Sequence, residues 1–256
     1  FIPTDNAFDA FLNANGYDGI ESVDMENPDH AEFLITYVYN HITLETTERS
    51  VLESEGSGYL TTNTQQEIDM FFDATGESIV LNGVATVTKD TDARNGVVYI
   101  VDDVIPVPTL ATFVEAHPDF EVMKQALAIA ESEVGSTINS DLTNATQYTV
   151  LVPVDAAFES LYNEIKVNDI SELEANIVED VVEIHVIPNT NFDASDIEDA
   201  VGGSINTLTD VLDVDVDGDG YYTLTDPQTR TATLIRTDIR ASNGFIHIID
   251  RVLLGN

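Results

Sequence analysis

The sequence predicts a mixed fold of helices and strands laid down twice in one chain, on three observations. Of its 256 residues 43% are apolar, enough to bury a sizeable core and enough for two. Two dissimilar motifs recur in the same order: FIPTDNAF (Phe1–Phe8) returns as LVPVDAAF (Leu151–Phe158), and NGVVYIVD (Asn95–Asp102) returns as NGFIHIID (Asn243–Asp250). The two offsets nearly agree, which marks a tandem duplication of a domain and not a short-period solenoid. Within a copy, helical spacing of apolar residues gives way to period-two alternation in the last third.

The elements follow in chain order. In the first copy Asp5 is expected to cap a helix carrying Phe8, Phe11 and Leu12 on one face. Asn27-Pro28 then supplies a cap followed by proline at the first helical position. Pro106-Val107-Pro108 fixes backbone angles and removes donors, so it reads as a short, stiff connector that keeps the domains close in a restricted orientation. A new helical pattern opens at Thr109.

Further on, Tyr148–Val152 is a β-branched strand ended by Pro153, and Asp155 is the expected cap of AAFESLYNEI, with Phe158, Leu161, Tyr162 and Ile165 on one face. SELE has the form of a capping box, Ser171 with Glu174, for a helix through Leu173, Ile177, Val181 and Ile184 to His185. LDVDV, a turn around Gly218-Asp219-Gly220 and YYTLT read as a β-hairpin. Gly244 suits a turn or bulge, after which Ile246 and Ile248 are expected to bury on one sheet face, out of phase with Phe245, His247 and Ile249.

The copies are unequal. Thr109–Val150 precedes the LVPVDAAF motif, and nothing precedes FIPTDNAF. The expectation is therefore an N-terminally truncated domain at 1–105 and a complete one at 106–256, cut from a longer chain whose upstream part carries a signal peptide.

Charge narrows the function. The 47 acidic residues against 9 basic ones leave a formal net charge of −38. Nucleic-acid affinity comes from Lys and Arg neutralising phosphates, so duplex binding is excluded, and anionic lipid or sulfated glycans are disfavoured. The apolar content is too high for disorder. Cysteine is absent, which removes disulfides, zinc-thiolate sites and thiol nucleophiles. No apolar run approaches the ~18 residues of a membrane span, so no insertion is expected of this stretch. A carboxylate-rich surface keeps a protein soluble in salt, where screening acts over ~8 Å or less, and a marine or salt-tolerant bacterium is the expected source.

The pairing of TVLVPVDAAF with TDIRASNGFIHIIDRVLL resembles the two signatures of the fasciclin domain, and FIPTDNAF with ARNGVVYIVDDVI repeats it, with Tyr99 where His247 stands later. The resemblance spans essentially the whole chain. It implies an α+β fold, two fasciclin-like domains, each a twisted β-sandwich-like wedge with helices packed along one edge. It also implies an extracellular or cell-surface setting, a role in adhesion and no catalysis. Some animal members carry a Tyr-His pair tied to receptor binding. The matching positions here read Asn40-His41 and Ile184-His185, so the His survives without the Tyr and that role is not carried over.

Few residues invite chemistry. Asp5, Phe8, Asp155 and Phe158 read as structural, as do Asn95-Gly96 and Asn243-Gly244. His185 and His247 read as core histidines with satisfied hydrogen bonds, because no third ligand sits at a useful spacing. Asp213, Asp215, Asp217 and Asp219 match the opening of a calcium-binding loop, D-x-D-x-D-G, yet Leu224 stands where a closing Glu belongs. A plain hairpin is the primary reading, and a weakly held Ca²⁺ is the only cofactor the sequence suggests. No GxSxG, phosphate-cradling or HExxH pattern appears, and Trp is absent as a sugar platform, so no enzyme is expected. Asn144-Ala145-Thr146 is a lone sequon.

The functional expectation is an adhesion or matrix-interaction module, secreted or on the cell surface, whose partner is a surface protein, a glycan, a matrix component or a second copy. The alternative is a structural repeat of a longer self-assembling surface fibre.

Overall fold

The computed structural model describes residues 1–144 and 147–256. The sequon's Ala145 and Thr146 lie outside the described residues. The chain divides into two compact units, Phe1–Pro108 and Thr109–Asn256.

The first unit opens with β1 (Ile2–Pro3), then α1 (Asp5–Ala14), α2 (Pro28–Asn40) and α3 (Arg49–Glu55). Strands β2 (Ser57–Thr61), β3 (Asp69–Asp73), β4 (Val80–Leu81), β5 (Ala85–Ala93) and β6 (Gly96–Val101) follow. They form one sheet in the order β1-β6-β5-β4-β3-β2, with β1 parallel to β6 and the other pairs antiparallel. Its core gathers Leu52, Met70, Phe72, Ile79, Leu81, Val101 and Ile105.

The second unit begins with α4 (Leu110–Ala116), α5 (Glu121–Ile129) and α6 (Ile138–Thr143); a π-helical turn, Ala130–Val134, extends α5. Next come β7 (Tyr148–Pro153), α7 (Asp155–Ile165), α8 (Ala175–Ile184), β8 (Val186–Ile187) and α9 (Ala194–Asp199). The chain then runs through β9 (Ser204–Asn206), β10 (Val211–Val216), β11 (Tyr222–Thr225), β12 (Thr231–Ala241) and β13 (Gly244–Ile249). The sheet order is β8-β7-β13-β12-β11-β10-β9, and β13 lies parallel to β7 from Gly244 opposite Tyr148 to Ile249 opposite Pro153. In both units the two signature motifs are thus neighbouring parallel strands. That pairing is why they recur together.

Three local expectations are corrected. Asp5 and Asp155 are the first residues of their helices, not the caps. Thr4 caps α1, its hydroxyl accepting the Ala7 N–H, and the same position before α7 is Val154, which has no oxygen to offer. SELE does not open a helix. The Asp169 carboxylate takes the Ser171 N–H at 2.8 Å and closes a short 3₁₀ turn, Ile170–Glu172; Leu173 is extended and α8 starts at Ala175. The buried stripe of α8 is Val178, Val181, Val182 and Ile184, and Ile177 points outward at 43% exposure. Last, β13 is buried on both faces, including Phe245, His247 and Ile249. A central strand covered on both sides carries an apolar run and not a one-faced alternation. Asn27-Pro28 opens α2 as expected, the Asn27 side chain accepting the Asp29 N–H at 3.0 Å. The β10–β11 hairpin also forms, from Asp213 opposite Thr225 to Val216 opposite Tyr222.

Candidate functional site

The signature residues of the second unit converge where α4, α5 and α6 meet the β7–β13 pair. Asn243 is buried at the turn before β13. Its Oδ1 accepts the Leu110 N–H at 2.9 Å and its Nδ2 donates to the Leu142 carbonyl at 2.8 Å. One amide therefore ties the start of α4 and the end of α6 to the central strand. Gly244 beside it is fixed by crowding, since a Cβ there would lie 1.9 Å from the Tyr148 carbonyl oxygen. Asp155 reaches from α7 to the open start of α5, whose Phe120 cap offers no side-chain bond. Its carboxylate accepts the Val122 N–H at 2.9 Å and also the Glu121 N–H. Burial raises the Asp155 pKa against the lowering effect of those bonds. The acid thus caps a helix other than its own, satisfying amides that a helix start leaves unpaired. Phe158, fully buried, plugs the core as expected.

The histidines are satisfied internally. His185 is fully buried; its Nδ1–H donates to the Val181 carbonyl and its Nε2 accepts the Leu253 N–H at 3.1 Å. Burial pulls its pKa down to about 4. His41 repeats the arrangement, donating to Tyr37 O at 2.7 Å and accepting the Ile105 N–H at 3.0 Å, with its pKa lowered by burial. His247 donates from Nε2 to Phe192 O at 2.7 Å and accepts the Asp238 N–H at 3.2 Å, and burial lowers it too. Each ring is neutral with both nitrogens engaged, so none is available as a ligand. The positions matching the Tyr-His pair face inward: Ile184 is buried, and Asn40 donates to Ile105 O at 3.0 Å and Pro106 O at 3.2 Å.

The first unit uses the same motifs differently. Tyr99, in the place of His247, donates to Thr47 O at 2.8 Å and stacks on Phe1, and burial pushes its pKa up to about 12. Asp5 and Asn95 are exposed, and a Cβ on Gly96 would meet only Thr46 Oγ1 at 3.7 Å. Phe8 is half-buried and lines a cavity of about 570 Å³ with Phe1, Tyr37, Val38, His41 and Ile42. The matching face of the second unit, Phe158, Val182 and Val186, is sealed. There α5 packs on α7 and α8, so the covering helices account for the difference.

Sequence reasoning missed Asn82. It is buried with φ +48°, its Oδ1 accepting the Phe71 N–H at 2.8 Å and its Nδ2 donating to Pro106 O at 2.9 Å. The signal was legible, because Asn82-Gly83 after a strand marks a turn with positive φ.

The calcium candidates are not assembled. Asp213 and Asp215 sit on the exposed side of β10, and Asp215 accepts the N–H of its neighbour Val216. Asp217 turns its Oδ1 back onto the Asp219 and Tyr221 N–H groups, both at 2.9 Å. Alternate strand positions lie roughly 7 Å apart along the chain. No group of three or more His, Asp or Glu side chains placed to hold a metal occurs among the described residues.

With this geometry established, the comparisons decide the family. The fasciclin domain model matches residues 1–108 and 119–255. The chain belongs to the fasciclin family. It is 31% identical over 183 residues to transforming growth factor-beta-induced protein ig-h3 of Sus scrofa, covering 68% of this chain and 24% of that protein. Over 222 residues it is 23% identical to stabilin-2 of Mus musculus, covering 83% of this chain and 8% of that protein. It therefore spans a quarter or less of these relatives. Among solved structures, a FAS1 domain pair from the insect cell adhesion molecule Fasciclin I aligns with TM-score 0.58 at 20% identity, over 98% of this chain and 86% of that one. The fasciclin fold is thereby confirmed, an α+β arrangement of a sheet and helices in each unit. No helix among the described residues is long and apolar enough to cross a membrane.

Proposed function

We propose that this fasciclin pair is a non-catalytic adhesion module, secreted or displayed at the cell surface, that binds a surface protein, a glycan or a matrix component. The observation that carries the reading is how the second unit spends its signature side chains. Asn243, Asp155, His185 and His247 all make their bonds inside that unit. Recognition then falls to the outer surface, where a net charge of −38 favours partners presenting cationic patches and makes capture salt-dependent. The naming of Fasciclin I as a cell adhesion molecule supports the same role here. The test is attachment of beads coated with the pair to matrix proteins and to cells, across a salt series, alongside a deletion strain. Capture that weakens with salt, together with lost attachment in the deletion, supports the module; unchanged attachment sinks it.

A further inference from the structure

We propose that the solvent side of the β10–β11–β12 sheet, centred on Tyr221 and Ile235, is a docking surface for a basic segment of a partner protein. The inference rests on the adhesion reading above and adds to it a face and a partner chemistry.

The sheet has two unlike sides. Leu212, Val214, Leu224, Ala232 and Leu234 enter the core of the second unit. The residues that alternate with them point the other way. There Asp213 lies opposite Thr225, Asp215 opposite Thr223, and Thr223 opposite Thr233. Asp213, Asp215 and Thr231 are exposed, and the Thr225 and Thr231 hydroxyls meet at 3.0 Å. Carried two places further, the register of Thr223 opposite Thr233 sets Tyr221 beside Ile235. At 58% and 53% exposure these are the two most exposed large apolar side chains of the second unit among the described residues. Scattered single exposures are ordinary, but an aromatic ring next to an isoleucine on a face of Asp and Thr is an apolar patch with a polar rim, the form a protein-docking surface takes.

Charge selects the occupant. Tyr221 is presented from a braced turn: the Asp217 N–H donates to Tyr221 O at 2.9 Å and the Asp217 Oδ1 accepts the Tyr221 N–H at 2.9 Å. Asp215 is the diagonal neighbour of Tyr221 across the strand pair, ~7–8 Å away at the backbone, and Asp213 follows it on the same side of β10. Lysine and arginine stems cover apolar surface while their charged ends stay at the rim. Such a stem laid over Ile235 and the Tyr221 ring brings its charge within the ~6 Å of a cation–π contact and within reach of the Asp215 carboxylate. An acidic segment would be repelled by Asp213, Asp215 and the net charge of −38. A purely apolar one would bury those carboxylates without partners. An extended segment with basic residues at alternate positions matches the ~7 Å step from Asp213 to Asp215.

The test measures binding of a fluorescent peptide of alternating lysine and serine to the full chain, by anisotropy at physiological ionic strength. Tyr221→Ser and Asp215→Asn are each expected to weaken binding about tenfold, and Tyr221→Phe to preserve it. Glu133→Gln removes the same charge from the exposed Ala130–Val134 turn and should change affinity less than about twofold. Equal affinity in wild type, Tyr221→Ser and Asp215→Asn overturns the proposal. So does an equal loss in Glu133→Gln, which would reduce the binding to diffuse charge. Bead attachment separates this proposal from the reading it rests on. Attachment lost with Tyr221→Ser and kept with Tyr221→Phe supports both, whereas wild-type attachment that Tyr221→Ser leaves unchanged keeps the adhesion module and removes this face from it.

Discussion

Acidification tests the central role of His185. Its imidazole is held at about 4 against an ordinary 6.5. At about 1.4 kcal/mol per unit, that gap is worth about 3 kcal/mol. Above pH 6.5 neither the folded nor the unfolded chain carries the proton, and the contribution is complete. Below 6.5 the unfolded chain takes up a proton that the native core refuses until the pH nears 4. Stability therefore falls as the pH drops through this window. Asp155 and Glu183, raised by burial, act in the opposite direction. The readout is thus a comparison of variants and not the raw slope. His185→Asn keeps a donor for Val181 O but removes both the titration and the acceptor for Leu253 N–H. At neutral pH it is expected to cost ~1–3 kcal/mol for the orphaned buried amide. Urea midpoints measured from pH 7 to 4 at fixed ionic strength should then show wild type losing about 3 kcal/mol relative to the variant, so that the neutral-pH gap vanishes or reverses. Exchange at the Leu253 amide should report the same gap locally. A gap that stays constant with pH, or an NMR titration of His185 near 6.5, would refute the reasoning.

Four further outcomes follow from the same geometry. Gly244→Ala must displace the Tyr148 carbonyl, on which the added Cβ would clash, and should cost more than ~3 kcal/mol, while Gly96→Ala at the repeated position should stay within ~1 kcal/mol, as read from urea midpoints. Asp155→Ala should lose ~1–2 kcal/mol and expose the Glu121 and Val122 amides to exchange; Asp5→Ala, exposed, should shift stability by less than ~0.5 kcal/mol. Raising sodium chloride should raise Tm, because screening relaxes the self-repulsion of a −38 chain, and a flat Tm between low and molar salt would contradict it. Asp217→Ala should cost ~1 kcal/mol by freeing the Asp219 and Tyr221 amides, equally with calcium or chelator; a loss seen only in calcium would restore the metal reading.

The parts legible in the sequence were those with a strong local cause. Asn27-Pro28 announces a helix start because proline tolerates the first position and asparagine bonds the next amide. The D-G-D-G run announces a turn because its backbone needs positive φ, and Gly220 adopts +92°. What failed to show was any bond made at long range. Asp155 looks like the cap of its own helix because an acidic residue at a helix start usually is one. That it reaches the amides of Glu121 and Val122 depends on how α5 packs against α7, which no local pattern encodes. The same holds for Ser171, whose capping-box pattern loses to Asp169 immediately before the turn. Strand β13 hides its second buried face for a related reason. The alternation criterion assumes water on one side, and here both faces are buried.

The unequal fate of the duplicated motifs separates what each residue does for the fold from what it does for its neighbours. The pairing of β1 with β6 and of β7 with β13 is common to both units, and so is the histidine bridge from the end of α2 or α8 to the chain's exit at Ile105 or Leu253. These are the parts a single unit needs to close its sheet. Asn243 and Asp155, by contrast, bond only to α4, α5 and α6, and their counterparts Asn95 and Asp5 are exposed in the first unit. The signature is therefore two devices in one stretch of sequence, a strand pair that builds the sheet and a polar clamp that seats helices on it. The first unit draws on Asn40 and Asn82 to fix its own exit at Pro106. Substitutions in the strand pair should therefore unfold either unit, whereas substitutions at Asn243 or Asp155 should first release α4, α5 and α6 from the sheet of the second.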